Sequence, residues 1–144
     1  IMSKGYAMSD IDYKISECPV CRAASNAADK ATDVAIDLDE AQKETIKSQM
    51  IASDDAFVMS EFFKALSDPT RLNMVHAMLL HKWLCVSDIA SLVGLSKSAV
   101  SHQLAYMRIN KLVRVKREGR KVFYALNDSH VESVFALALS HIKE

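Results

Sequence analysis

Ser87-Asp-Ile-Ala-Ser-Leu-Val-Gly94-Leu-Ser96-Lys-Ser-Ala-Val-Ser101-His-Gln-Leu104 decides the fold. Ser87 or Asp88 can cap a short helix carrying Ile89, Ala90 and Leu92. Gly94 then supplies a turn, and Ser96 caps a second helix running to about Asn110, with Val100, Leu104 and Met107 on one side. A short helix, a glycine turn and a second helix form the plan of a helix-turn-helix. The outward positions of the second helix are Lys97, Ser98, Ser101, His102 and Gln103. Hydroxyls, an amide and a cation suit base edges and phosphates in the major groove.

Downstream, Val113-Arg-Val-Lys-Arg and Val122-Phe-Tyr-Ala-Leu alternate on either side of Glu118-Gly119-Arg120, the pattern of a β-hairpin. A basic hairpin directly after a helix-turn-helix reads as a wing, with Arg117, Arg120 and Lys121 near its tip. A last helix is expected from about Ser129 to the end. Upstream, residues 55–66 predict a helix with Phe57, Val58, Phe62, Phe63 and Leu66 inward. Asp68 and Pro69 can cap and start the next helix, which runs to about His81 with Leu72, Val75, Met78 and Leu79 apolar. Residues 38–51 allow a further helix whose apolar face (Leu38, Ile46, Met50, Ile51) is sparse. Residues 1–30 lack periodicity and read as an arm carrying Cys18-Pro-Val-Cys21. The chain thus divides into an arm with a possible helix (1–53) and a winged helix-turn-helix (54–144), mainly α with a β-hairpin wing.

The 144 residues are one domain's worth, and half are hydrophobic, enough for a modest core. The net charge is zero, which hides an asymmetry. Residues 1–68 hold 7 Lys/Arg and 13 Asp/Glu, whereas 69–144 hold 11 and 5. Lys97, Arg108, Lys111, Arg114, Lys116, Arg117, Arg120 and Lys121 cluster against Glu118 alone. Such a cluster is either a solvated basic face or the footprint that phosphate binding needs. No apolar run of about 18 residues and no basic-then-apolar leader is seen, so neither a membrane span nor a secretory signal is expected. Three unevenly spaced cysteines argue against a disulfide framework and for a reducing, cytoplasmic setting.

The last helix carries the most informative spacing: Asp128-Ser-His130 and His141-Ile-Lys-Glu144. His130 and His141, eleven residues apart, project from nearly the same side of a helix but lie about 16.5 Å apart along its axis. One helix therefore cannot bring both to one ion. Each end carries half a site, an imidazole and a carboxylate, and an antiparallel copy would complete two sites per dimer. Two nitrogens and two oxygens in a tetrahedron suit Zn²⁺. Taken singly, Asp128 is an N-cap, Ser129 and Glu132 a capping box, and the histidines interface residues. A second site joins Cys18 and Cys21 to Cys85, whose thiolates would take Zn²⁺ or a softer Cd²⁺ or Pb²⁺. The same thiols could instead form a redox switch, or remain unused. No enzyme is expected: there is no phosphate loop or nucleophile motif, and four protein ligands leave a zinc ion no open position for water.

From about Phe62 to Glu144 the chain resembles the ArsR/SmtB metalloregulators, in their zinc and cadmium branch. The resemblance rests on Phe63-Lys-Ala-Leu-Ser-Asp-Pro-Thr-Arg71-Leu, Leu84-Cys85-Val-Ser-Asp88-Ile-Ala, Leu95-Ser-Lys-Ser-Ala-Val-Ser101-His102-Gln-Leu and Glu118-Gly-Arg-Lys-Val-Phe-Tyr124-Ala-Leu. The motif Asp-x-His-x10-His-x2-Glu falls on Asp128, His130, His141 and Glu144 without a gap. The resemblance implies a homodimer formed through N-terminal and C-terminal helices. It also implies a repressor that binds a palindromic operator, controls efflux or detoxification genes and is released by metal. Cys18, Cys21 and Cys85 resemble the cadmium/lead-sensing arrangement, but Ser87 stands where that motif has another cysteine.

Overall fold

The computed structural model describes residues 36–143. In chain order, the elements are α1 (Glu40–Gln49), α2 (Ser53–Leu66), α3 (Pro69–Leu80), β1 (Leu84–Cys85), α4 (Val86–Val93), α5 (Lys97–Ile109), β2 (Val113–Glu118), β3 (Lys121–Leu126) and α6 (Ser129–Lys143).

Local chemistry sets most of the boundaries. Asp39 and Gln42 cap α1 reciprocally, at 2.7 and 2.9 Å, which starts that helix two residues later than the apolar pattern predicts. Asp68 accepts from the Arg71 N–H at 3.0 Å, with Pro69 opening α3. Ser96 accepts from the Ala99 N–H at 3.1 Å to start α5. Gly94, at φ +71°, ends α4 in the left-handed conformation, and the next N–H, of Leu95, returns to Ala90 O at 3.1 Å. The end of α5 closes the same way without a glycine. Lys111 takes φ +57°, while Leu112 N donates to Met107 O and Lys111 N to Arg108 O, both bonds of a Schellman motif.

The core lies where α3, α4 and α5 meet the hairpin. Met74 and Val75 of α3, Ile89 of α4, Val100, Leu104 and Met107 of α5, and Leu112 are fully buried. Val131 joins them from the first turn of α6. The sheet has three strands in the order β1-β3-β2, all antiparallel. Glu118 pairs with Lys121 around a two-residue turn whose first residue, Gly119, has φ +61°. That is the glycine position of a tight hairpin turn.

Several features differ from the sequence reading. The cap of α4 is neither Ser87 nor Asp88: the helix starts at Val86, with Cys85 at the capping position. β1 has no sequence signature, because two residues cannot display alternation; it exists through Leu84 pairing with Tyr124 and Cys85 with Phe123. On α2, Phe57, Val58 and Phe63 are exposed, whereas Ala65 and Leu66 are buried and Phe62 is partly buried. Its last turn rests on the core, and the rest of its apolar face is left uncovered among the described residues. Leu72 and Leu92 are likewise exposed rather than packed.

Candidate nucleic-acid interface and metal centre

Recognition-helix residues separate cleanly by burial. Val100, Leu104 and Met107 fix one side of α5 to the core. Lys97, Ser98, Ser101 and His102 are exposed on the other side, held there by the Ser96 cap. Gln103 stands on the flank, half-buried, and its side-chain oxygen accepts from Arg71 Nη1 at 3.2 Å.

In the wing, Arg117, Arg120 and Lys121 are exposed. Arg114 and Lys116 are committed to its base: the Arg114 guanidinium and the Lys116 ammonium lie 5.1 and 4.4 Å from the centre of the Trp83 ring. Lys116 also bridges to Glu118 at 2.8 Å. Cation–π contacts of this kind stiffen the hairpin where it leaves the core. Sequence reading missed Trp83; its proximity follows from the unpredicted β1 strand beside it. A polar helix face and a basic hairpin thus emerge from one packed unit and display cations and hydroxyls, groups of the kind that bind phosphates and base edges.

The metal-site residues fall at both ends of α6. Asp128 is the N-cap: its Oδ1 accepts from the N–H groups of His130 at 2.9 Å and Val131 at 3.1 Å. Its Oδ2 accepts from Asn127 Nδ2 at 3.1 Å. Ser129 is therefore the first helical residue rather than the cap, and no capping box with Glu132 forms. Partial burial pushes the Asp128 carboxyl up. The Val131 N–H, the Asn127 amide, the His130 N–H and the His130 ring act against it and leave it below its ordinary value. His130 is exposed, with Nδ1 3.5 Å from Asp128 Oδ1. His141 is exposed in the last turn. Glu144 lies outside the described residues. Among the described residues, no three His, Cys, Asp or Glu side chains come together in one group. Asp128 and His130 stand together at the start of α6, and His141 sits at the far end of the same helix.

These donors fit a divalent ion. A carboxylate offers about four lone-pair positions, and three are used here, leaving one on Oδ2 for a metal. His130 presents its imidazole beside it without burial. Cys85 is half-buried and its Sγ donates to Asp88 Oδ2 at 3.2 Å, one thiol and one carboxylate at the start of α4. Cys18 and Cys21 lie outside the described residues.

Asp128 also has a structural consequence. In metal-free protein, Asp128→Ala should cost about 1 kcal/mol at neutral pH through the lost cap. The folded carboxyl titrates lower than the unfolded one, so its contribution is complete above about pH 4, the unfolded value, and fades as pH falls through the folded value. Thermal melts of both proteins across that range should show a gap that closes only in acid; a gap independent of pH would sink the assignment.

Helix, turn, helix and basic hairpin on a three-stranded sheet define a winged helix-turn-helix regulator. Over residues 68–115 the chain matches the family model described as bacterial regulatory protein, arsR family. It is 41% identical over 103 residues to the transcriptional repressor SmtB homolog of Synechocystis sp., covering 72% of this chain and 77% of the relative. It is 32% identical over 94 residues to the cadmium resistance transcriptional regulatory protein CadC homolog of Staphylococcus aureus, covering 65% and 78%. The crystal structure of the AntR antimony-specific transcriptional repressor superposes with a TM-score of 0.61 at 31% identity, over 76% of this chain and 96% of that one. The chain belongs to the arsR family of bacterial regulatory proteins. No helix among the described residues is long and apolar enough to cross a membrane.

Proposed function

We propose that this protein is a metal-responsive transcriptional repressor: a homodimer that holds a palindromic operator and is released when a divalent ion, Zn²⁺ first, joins its two terminal helices. The observation that carries the reading is the split set on α6. Asp128 and His130 stand together at one end and His141 at the other, so a second antiparallel copy supplies what one subunit lacks. Asp128 and His130 of one subunit, with His141 and Glu144 of the other, would hold the ion in a closed four-ligand shell. Bound there, the ion supplies a cross-link and no open position for chemistry, which agrees with a regulator rather than an enzyme. The exposed apolar residues of α2 (Phe57, Val58, Phe63) and of α6 (Leu137, Ile142) supply a face for the dimer.

Lys97, Ser98, Ser101 and His102 read the major groove, while Arg117, Arg120 and Lys121 grip the flanking backbone. Metal and operator oppose each other because the dimer arrangement that closes the ligand shell is not the one that fits the duplex. By linkage, DNA then weakens metal binding by the same factor. The genes controlled would be those for efflux or detoxification of the sensed metal; the related CadC homolog is named for cadmium resistance.

One observation favours a second reading, a thiol sensor of Cd²⁺ or Pb²⁺. Cys85, at the end of the strand joined to the wing, and Asp88, in the first turn of α4, form a soft–hard donor pair to which Cys18 and Cys21 would add thiolates.

The operator reading is tested by fluorescence anisotropy, using a duplex enriched from a random pool by the wild-type protein. Arg120→Ala should weaken binding uniformly across sequences and lower the slope of log affinity against log salt by about one. Saturating Zn²⁺ should raise the wild-type Kd by about 5- to 150-fold. Failure to enrich any duplex would sink the proposal.

A further inference from the structure

We propose that Arg71 is a positioning residue for DNA reading: it fastens the recognition helix to the end of α2 and takes Gln103 out of the set of base readers. The inference rests on the operator reading above and concerns how the reading helix is aimed.

Arg71 lies in the first turn of α3, half-buried, and reaches two other elements, α2 and α5. Its Nε donates to the Ala65 carbonyl and its Nη2 to the Lys64 carbonyl at 3.4 Å. Both acceptors lie in the last turn of α2, at the negative end of the helix dipole, and the Lys64 carbonyl also accepts from the Ser67 N–H at 3.2 Å. Its Nη1 donates to Gln103 Oε1 at 3.2 Å. The guanidinium plane also covers the Tyr106 ring, 4.7 Å from its centre. Gln103 and Tyr106, one turn apart on α5, are thus held by one rigid fork whose other bonds end on α2. Among the described residues, these partners are neutral acceptors and a ring, so the contact fixes geometry without neutralising the charge.

The consequence for Gln103 follows from donor and acceptor counting. Arginine has no acceptor, so the Gln103 oxygen faces it and the amide nitrogen faces away. Reading adenine with glutamine requires oxygen and nitrogen to reach the base edge together. Gln103 therefore cannot make that bidentate contact while the latch holds. Its half-buried place on the flank of α5, between the buried side and the exposed Ser98, Ser101 and His102, points the same way. Lysine cannot substitute for Arg71, because one ammonium cannot bond two helix-end carbonyls and a side-chain oxygen in a plane.

The test uses the full-length dimer and the enriched duplex, with every single-base-pair variant of that duplex. Arg71→Met and Gln103→Ala should each weaken binding about tenfold, with the double variant no weaker than Arg71→Met alone. The salt slope should stay at the wild-type value, since no phosphate contact is lost. The base-pair preference profile of Gln103→Ala should match wild type. Gln103→Glu, whose carboxylate still accepts from Arg71, should keep both the melting temperature and the profile, which keeps the test open should Arg71→Met fold poorly. Loss of preference at a single base pair in Gln103→Ala, or a new preference there in Gln103→Glu, makes Gln103 a reader and overturns the proposal. Additive losses, or a slope lowered by about one in Arg71→Met, overturn it as well. A wild-type protein that enriches no duplex overturns the repressor reading itself, an outcome distinct from enrichment by wild type followed by additive losses.

Discussion

His141→Ala should abolish the zinc response while leaving metal-free operator binding within about twofold of wild type. The wild-type response is expected at about 1–3 kcal/mol of coupling. The substitution would remove one of two nitrogen donors from each proposed intersubunit site. His141 is exposed in the last turn of α6, so its loss opens no cavity and strands no buried partner. The metal-free fold and the recognition helix should therefore be untouched, with only the proposed metal link between subunits cut. Cys85→Ser serves as the control, since its bond to Asp88 is local to the start of α4. Anisotropy titrations with Zn²⁺ and Cd²⁺ on all three proteins decide the matter. If His141→Ala still releases DNA and Cys85→Ser does not, the thiols of Cys18, Cys21 and Cys85 are the sensor and the α6 assignment is wrong.

Leu104→Ala should cost about 3 kcal/mol of stability and lower Tm by on the order of 15 °C. Leu104 is 0% exposed in the middle of α5, in the cluster that includes Ile89, Val100 and Met107. Truncation leaves a cavity between helices that are pinned by caps and by the hairpin, so the surroundings can collapse only in part. Ser101→Ala, three residues earlier on the exposed side, should move stability by less than about 0.5 kcal/mol yet weaken duplex binding. Circular-dichroism melts beside anisotropy separate the two effects. A Leu104→Ala protein within about 1 kcal/mol of wild type would show that α5 is not held through this face.

Much of the reading unit is local, and local signals survive in a sequence. Asp68, Gly94, Ser96 and Gly119 act on backbone groups within a few residues, so the start of α3, the turn between α4 and α5 and the wing turn can be read without knowing what packs on them. Periodicity identified Val100, Leu104 and Met107 as buried for the same reason. The cap of α4 escaped because two good capping residues, Ser87 and Asp88, sit just inside the helix, while pairing of β1 with β3 sets its start at Cys85.

The sequence by itself determined the order of helix, turn, helix and hairpin. It also determined the eleven-residue spacing that forbids one α6 from holding one ion with both histidines, because both follow from chain geometry over short distances. Only the tertiary structure decided which apolar faces are used. An amphipathic pattern says that a face wants cover, not whether the covering surface belongs to the same chain, and α2 leaves Phe57, Val58 and Phe63 bare. Only the tertiary structure set Trp83 beneath Arg114 and Lys116 and joined Arg71 to Gln103 across 32 residues of sequence. A side chain's spare donors are fixed by what the fold brings to them, and no spacing along the chain records that.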